Sequence, residues 1–251
     1  MTVFDSLVMQ TDCSTRGRAA ENNLYGWVKK ALTDDDAGTG GTRSRTTMDG
    51  SNQGVVKNEW QDGYYFKNPN LPSGISASFP QGAYTLAARV KNVTVQGSTM
   101  AAVCFQYHAT WQQGVIIGFK ATNGYAYFSH WDSGGSSRSM TGTAINRVNT
   151  EAVIAVRHDG SGNAELWWNG AEEASMANHY TSGITNMTQV GHLQQPNSGS
   201  HMHGHLAWGA LWQRRLSNDE MVSIALDTPN PFTRERGVLM PNRNIIQPRR
   251  F

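Results

Sequence analysis

Three histidines at alternate positions, His201, His203 and His205, have the spacing closest to a metal constellation. In an extended strand alternate side chains share a face, so the three imidazoles could converge on zinc or nickel. The segment around them, Gly199-Ser-His-Met-His-Gly-His205, carries glycine near both ends. It reads as a turn running into a strand, and surface histidines in such a setting are commoner than ligands. Glycan hydrolysis would instead need two carboxylates flanking the bond, one acid and one nucleophile or base. The grouped acids are Glu172-Glu173, which follow a turn, and Asp34-Asp-Asp36, in a polar Gly/Thr-rich segment. Neither is expected on a strand facing a cleft, so no catalytic residue is assigned.

Calcium would call for about six to eight oxygen ligands. The loop acids on offer are Asp132 and Asp159, and Asp159 has a structural use in its own turn. No cofactor is therefore expected. Sugar recognition would use aromatic rings stacked on pyranose faces. Trp111, Trp131 and Tyr127, with Tyr107, are the candidates. The competing reading is core packing, the usual fate of tryptophans at alternate positions such as Trp208 and Trp212. Trp167 and Trp168 are adjacent and must face opposite ways on a strand, so one of them should be exposed or covered by a partner.

The elements that would carry these residues are strands. Thr85–Val90 alternates, with Leu86, Ala88 and Val90 on one side and Thr85 and Arg89 on the other. Ala101–Tyr107, Val115–Phe119 and Tyr125–Phe128 follow, the last two joined by Asn123-Gly124. Ala152–Arg157 and Ala164–Trp168 flank Asp159-Gly-Ser-Gly-Asn163, and Asn169-Gly170 marks another tight turn. Gln189–Leu193 and Leu206–Trp212 complete the set. Leu206, Trp208, Ala210 and Trp212 share one face of that last strand, opposite Ala207 and Gly209. Period-two patterning broken by turn residues at short intervals is the signature of a β-sandwich. Ser217-Asn-Asp-Glu220 then forms a capping box for one short helix, with Met221, Ile224 and Ala225 as its apolar stripe and Pro229 beyond its end. Nearer the N-terminus, Arg18–Leu32 reads as a short helix with Leu24, Trp27, Val28 and Leu32 near one face.

Composition agrees with strands and turns. The 251 residues include 26 Gly, 8 Trp, 8 Tyr and 8 Phe, and only 16% are charged. A formal charge of +2 supplies no global drive toward nucleic acid or an anionic membrane, and neither is an expected partner. Cys13 and Cys104 imply no disulfide framework. The segment following Met1 lacks the basic and apolar regions of a secretory signal, so synthesis in the cytosol without removal of a leader is expected. Asn92-Val-Thr94 and Asn186-Met-Thr188 are then chance matches to a glycosylation pattern.

The run Val156-Arg-His-Asp-Gly-Ser-Gly-Asn-Ala-Glu-Leu-Trp-Trp-Asn-Gly170, then Val190-Gly-His192, then His203-Gly-His-Leu-Ala-Trp-Gly-Ala-Leu-Trp-Gln-Arg-Arg-Leu-Ser-Asn-Asp-Glu220, resembles the laminin-G-like, concanavalin A-like family. The resemblance implies an all-β fold: a two-sheet antiparallel jelly roll with one short C-terminal helix and N- and C-terminal extensions. It implies calcium as the family's usual metal. The family's glucanases carry Glu-x-Asp-x-x-Glu or Glu-x-Asp-x-Glu on one strand, and this chain has no such spacing. Asn230-Pro-Phe232 and the tail ending Gln247-Pro-Arg-Arg-Phe251 look like the C-termini of laminin-G-like proteins of tailed bacteriophages.

These readings divide the chain into an arm at 1–50, a jelly roll at 51–232 and a tail at 233–251. The tail carries Arg234, Arg236, Arg243, Arg249 and Arg250 beside Ile245, Ile246 and Phe251, a mixture that suits a neighbouring subunit better than nucleic acid. The expectation is a non-enzymatic bacteriophage virion protein, assembled in the host cytoplasm, that acts as a capsid decoration or cement protein. It would form homo-oligomers and touch other virion proteins through Leu24, Trp27, Arg243, Ile245, Ile246, Arg249, Arg250 and Phe251. The first alternative is a tail or fibre component binding host polysaccharide, and the second is a glycan hydrolase.

Overall fold

In the computed structural model, residues 82–91, 114–120, 122–131, 136–177 and 208–226 are described with their side chains, and further strands by their backbone pairing. The strands are β1 (Leu7–Asp12), β2 (Asn23–Tyr25), β3 (Ala31–Asp35), β4 (Ser44–Thr47), β5 (Gly54–Asn58), β6 (Tyr65–Asn68), β7 (Ala83–Asn92) and β8 (Met100–Tyr107). They continue with β9 (Gly114–Phe119), β10 (Ala126–Trp131), β11 (Ser137–Thr141), β12 (Glu151–Asp159), β13 (Ala164–Trp168), β14 (Ala171–Met176), β15 (Met187–His192) and β16 (Gly204–Trp212). Helix α1 (Asn218–Leu226) follows. The described strands form two antiparallel 8-stranded sheets. The first runs β14-β13-β12-β7-β16-β5-β4, with β1 also on β16; the second runs β11-β10-β9-β8-β15-β6-β3-β2. The expected two-sheet sandwich with one short C-terminal helix is the fold observed.

Ladder register shows how alternation builds the interior. Leu211, Leu86, Val156 and Leu166 form one cross-strand row of the first sheet, and Gly209, Ala88, Ile154 and Trp168 form the next. Trp168 meets Phe119 of the second sheet edge to face at 6.0 Å, so these rows face inward. The intervening row, Ala210, Ala87, Ala155 and Trp167, faces outward. It is buried with Trp208, Trp212 and Val153 against Leu216, Met221 and Ile224. The first sheet thus has two buried faces, one against its partner sheet and one beneath α1. Trp208, Ala210 and Trp212 lie under the helix as alternation anticipates, and Gly209 and Leu211 turn into the sandwich; a register shift between Leu206 and Trp208 breaks the alternation expected to include Leu206, which pairs with Val90. Burying an aliphatic or aromatic side chain stabilises by about 1.5–3 kcal/mol, so the helix stripe is a substantial anchor.

The capping box forms as its residue types require. The Glu220 amide donates to Ser217 Oγ (3.3 Å), and the Ser217 amide donates to the Glu220 carboxylate (2.8 Å). Gly170 permits the helix to lie close. Its φ is +81°, and a Cβ there would stand 3.1 Å from the Val222 Cα.

The N-terminal region differs from expectation. Within the segment 18–32 anticipated as a short helix, the described residues 23–25 and 31–32 are strand, with Leu24 of β2 paired to Leu32 of β3. Residues anticipated as an arm contribute β1 to the edge of β16 and β3 to the edge of β6. The apolar spacing read as helical also fits a hairpin, and pairing to existing sheet edges satisfies backbone groups that a lone helix would leave to its ends. Trp27 and the tail residues Arg243, Ile245, Ile246, Arg249, Arg250 and Phe251 lie outside the described residues. Among the described residues no helix is long and apolar enough to cross a membrane.

Candidate functional site

Two of the sugar-stacking candidates, Tyr127 and Trp131, fall on the outer face of the second sheet. Inner and outer rows follow from Phe119, which points inward. Ala126, Phe128 and His130 share its side of the ladder, and Tyr127, Ser129 and Trp131 take the other. Across from those three on β9 are Gly118, Ile116 and Gly114, and on β11 Thr141, Ser139 and Ser137. Both aromatic residues therefore stand opposite a glycine, on either side of the Ser129–Ile116 pair. Trp131 is half-buried and packs against Ile116. The Ser129 hydroxyl donates to the Arg138 carbonyl at 3.4 Å, and the hydroxyl-bearing Ser137, Ser139 and Thr141 are exposed.

The β9–β10 hairpin sets one end of this face. The Gly124 amide donates to the Lys120 carbonyl (2.8 Å), the Lys120 amide to the Tyr125 carbonyl (2.8 Å), and the Tyr125 amide to Asn123 Oδ1 (3.3 Å). Gly124 takes a φ of +69°, as the Asn-Gly pair anticipates. The hairpin places the Lys120 ammonium 5.1 Å from the centre of the Tyr127 ring. Tyr127 is only 7% exposed, so its ring is covered rather than open for stacking. Trp131 keeps an accessible part, and Trp111 lies outside the described residues.

The acids have other work. Arg89 pairs with Glu151, Arg147 with Glu173, and Arg214 with Glu220. Glu165 receives Arg157 and Arg215. Glu172 and Glu173 lie on β14, an edge strand that the polar run Ala-Glu-Glu-Ala-Ser-Met did not signal. The Asp159 carboxylate accepts from the Ser161 and Asn163 amides, at 2.7 and 3.0 Å, and from the Asn163 side chain. Slight burial opposes its ionisation, but these hydrogen bonds outweigh that and hold its carboxyl down at about 2. Its oxygens are thereby committed to the turn. Asp132 and the side chains of His201, His203 and His205 lie outside the described residues. Among those described, no three His, Cys, Asp or Glu side chains are grouped to hold a metal.

Trp167 and Trp168 are both covered from within the chain. The Arg157 guanidinium lies 4.3 Å over Trp167, which also packs beneath α1, and the Arg147 guanidinium lies 4.4 Å over Trp168. Neither supplies the external contact expected of one of the pair.

No family model matches the sequence, and no curated protein matches it either. Solved structures do resemble the fold. The binding domain of Paraclostridial Mosquitocidal Protein 1 superposes with a TM-score of 0.64 at 15% identity, over 88% of this chain and 52% of that one. The receptor-binding domain of a botulinum neurotoxin C/D mosaic serotype gives 0.64 at 12% identity, over 88% and 51%. A Ruminococcus gnavus sialidase CBM40 bound to α2,3-sialyllactose gives 0.56 at 12% identity, over 68% of this chain and 96% of that one. The chain thus spans about half the length of the two toxin domains and nearly all of the CBM40. At these identities the shared property is the jelly-roll fold.

Proposed function

We propose that this chain is a non-catalytic glycan-binding module that uses the place where Trp131, at the end of β10, lies beside the exposed outer row of β11. The observation that carries the reading is Trp131: a half-open indole seated on Ile116, opposite Gly114 and beside the exposed hydroxyl row of Ser137, Ser139 and Thr141. Aromatic stacking with flanking hydroxyl donors and acceptors is the chemistry that retains a pyranose ring. Further support comes from the CBM40, a sugar-bound structure whose length this fold spans almost entirely. The ion-paired acids Glu151, Glu165, Glu173 and Glu220 each hold an arginine, a use that suits a binding scaffold.

The glycan-binding alternative gains more from these neighbours than the capsid decoration reading does. A bacteriophage virion as carrier has its support in sequence resemblance alone, at 230–251. The two are compatible if the virion protein is one that touches host polysaccharide.

A glycan array probed with the full chain tests the reading, with Trp131→Ala as the site variant and thermal melting to check its fold. Selective binding by the parent, at least about tenfold weaker in the variant at unchanged melting temperature, is expected. An array with no binder, or binding indifferent to Trp131, would overturn it.

A further inference from the structure

We infer that β11 is an association edge, to which a second copy of this chain adds its own β11 antiparallel, joining the second sheets of the two copies into one. The phase of the β10–β11 ladder decides which backbone groups are left open. The Gly142 amide donates to the Ala126 carbonyl at 2.8 Å, and the Arg138 carbonyl accepts from the Ser129 hydroxyl on β10 at 3.4 Å. Along a strand the backbone groups of successive residues point to alternate sides. Arg138, Met140 and Gly142 therefore direct theirs toward β10, and Ser137, Ser139 and Thr141 direct both amide and carbonyl away from it. β11 ends its sheet, and among the described residues nothing pairs with that open side. Ser137, Ser139 and Thr141 are all exposed.

Open edges are normally blunted by a bulge, a charge or a proline. β14, the edge of the first sheet that meets β11 along one side of the sandwich, is blunted in this way. Its ladder with β13 shifts register between Leu166 and Trp167, and it carries Glu172 and Glu173. β11 follows β10 without a shift and carries neither a carboxylate nor a proline. Register then selects the occupant. A two-fold axis at Ser139 sets it against the partner's Ser139, and sets Ser137 against the partner's Thr141. Each such pair exchanges two N–H···O bonds. Arg138, the one charged residue of the strand, falls opposite the partner's Met140, so like charges do not meet directly. The remaining cross-strand pairs are serine with serine and serine with threonine, which a sheet accommodates. Pairing uses the backbone alone. The Ser137, Ser139 and Thr141 hydroxyls stay on the side that carries Trp131, and the two copies present that side on one continuous sheet. The association stands whether or not that surface binds a glycan.

The paired stretch is short, so a weak dimer is expected, half-assembled at roughly 10–100 μM. Sedimentation equilibrium of the full chain across that range should show a reversible monomer–dimer equilibrium. Amide exchange in dilute and concentrated samples gives the register. Exchange should slow severalfold on concentration at Ser137, Ser139 and Thr141, and change far less at Arg138 and Met140, whose amides already serve β10. Ser139→Lys alone and Ser139→Glu alone each put like charges across the axis and should weaken association about tenfold or more, whereas an equimolar mixture of the two should restore it. Thermal melting checks that both variants fold. Ser139→Pro, which removes an amide that β10 does not use, should abolish association. A chain that stays monomeric across the range, association indifferent to both charge variants, or a mixture of the two that fails to reassociate would each overturn the β11 interface.

Discussion

The Arg157 guanidinium lies 4.3 Å over the Trp167 indole, and the same group reaches three other parts of the chain. Its Nε donates to Glu165 on β13 (2.7 Å), and its Nη1 donates to the Leu216 carbonyl and to Asn218 Oδ1, each at 2.8 Å. One buried cation thus joins β12, β13, the connection after β16 and the first residue of α1. Burial pulls Arg157 below its ordinary value, and the Glu165 carboxylate opposes that pull.

Arg157→Met should destabilise the protein by about 3–5 kcal/mol, because it leaves Glu165 half-buried with only the partly exposed Arg215 as a cation. Arg157→Lys should recover little, since one ammonium cannot reproduce a planar fork shared among several acceptors. Urea unfolding of both variants measures the difference. Parent-like stability in the lysine variant would show that charge, rather than fork geometry, is what matters.

Ser217→Ala should cost about 1 kcal/mol by removing half of the capping box. The change should appear as a lower urea midpoint at constant slope. Hydrogen bonds from Arg214, joined by those from Ser217, hold the Glu220 carboxyl below its usual range against modest burial. Stability from Glu220 is therefore fully present above its unfolded value and is lost as pH falls through the folded one. Glu220→Gln should flatten that part of the acid limb.

Asp159 reports on the acid stability of its own turn. Its carboxyl is held at about 2, below the ordinary aspartate value of about 3.9, so its contribution is complete above the latter and disappears as pH falls toward the former. Asp159→Asn should lower stability at neutral pH and reduce the loss between about pH 4 and pH 2. Melting temperatures of parent and variant across that interval provide the check.

The strands visible in sequence are those with an apolar face to alternate. Leu86/Ala88/Val90 and Leu166/Trp168 fall on the inner faces their spacing implied, and Ser217 with Glu220 forms the anticipated cap. β11 and β14 were not legible, because Ser-Arg-Ser-Met-Thr and Ala-Glu-Glu-Ala-Ser-Met are edge strands with little to bury. Trp167 misled because alternation says which face a residue takes and nothing about what covers that face; here α1 and Arg157 do. Trp131 and Tyr127 were legible as aromatics sharing one face of a strand, but the covering of Tyr127 by the Lys120 ammonium depends on the hairpin bringing residues from two strands together.

Gly170→Ala should destabilise by more than about 1 kcal/mol, since it requires a positive φ and a Cβ against the helix backbone. Tryptophan fluorescence should shift as α1 lifts from Trp167. A neutral effect on both stability and emission would contradict the close helix docking described above.

Chemical-shift mapping of the isotope-labelled chain during titration with α2,3-sialyllactose, lactose and the best array-selected glycan tests the binding-module reading most directly. Saturable shifts centred on the Trp131 indole and on Ser137, Ser139 and Thr141, with the glycan recovered uncleaved, are predicted for at least one of them. Shifts confined to α1 or the β12–β13 turn, no saturable shift with any glycan, or appearance of a cleaved product would contradict it.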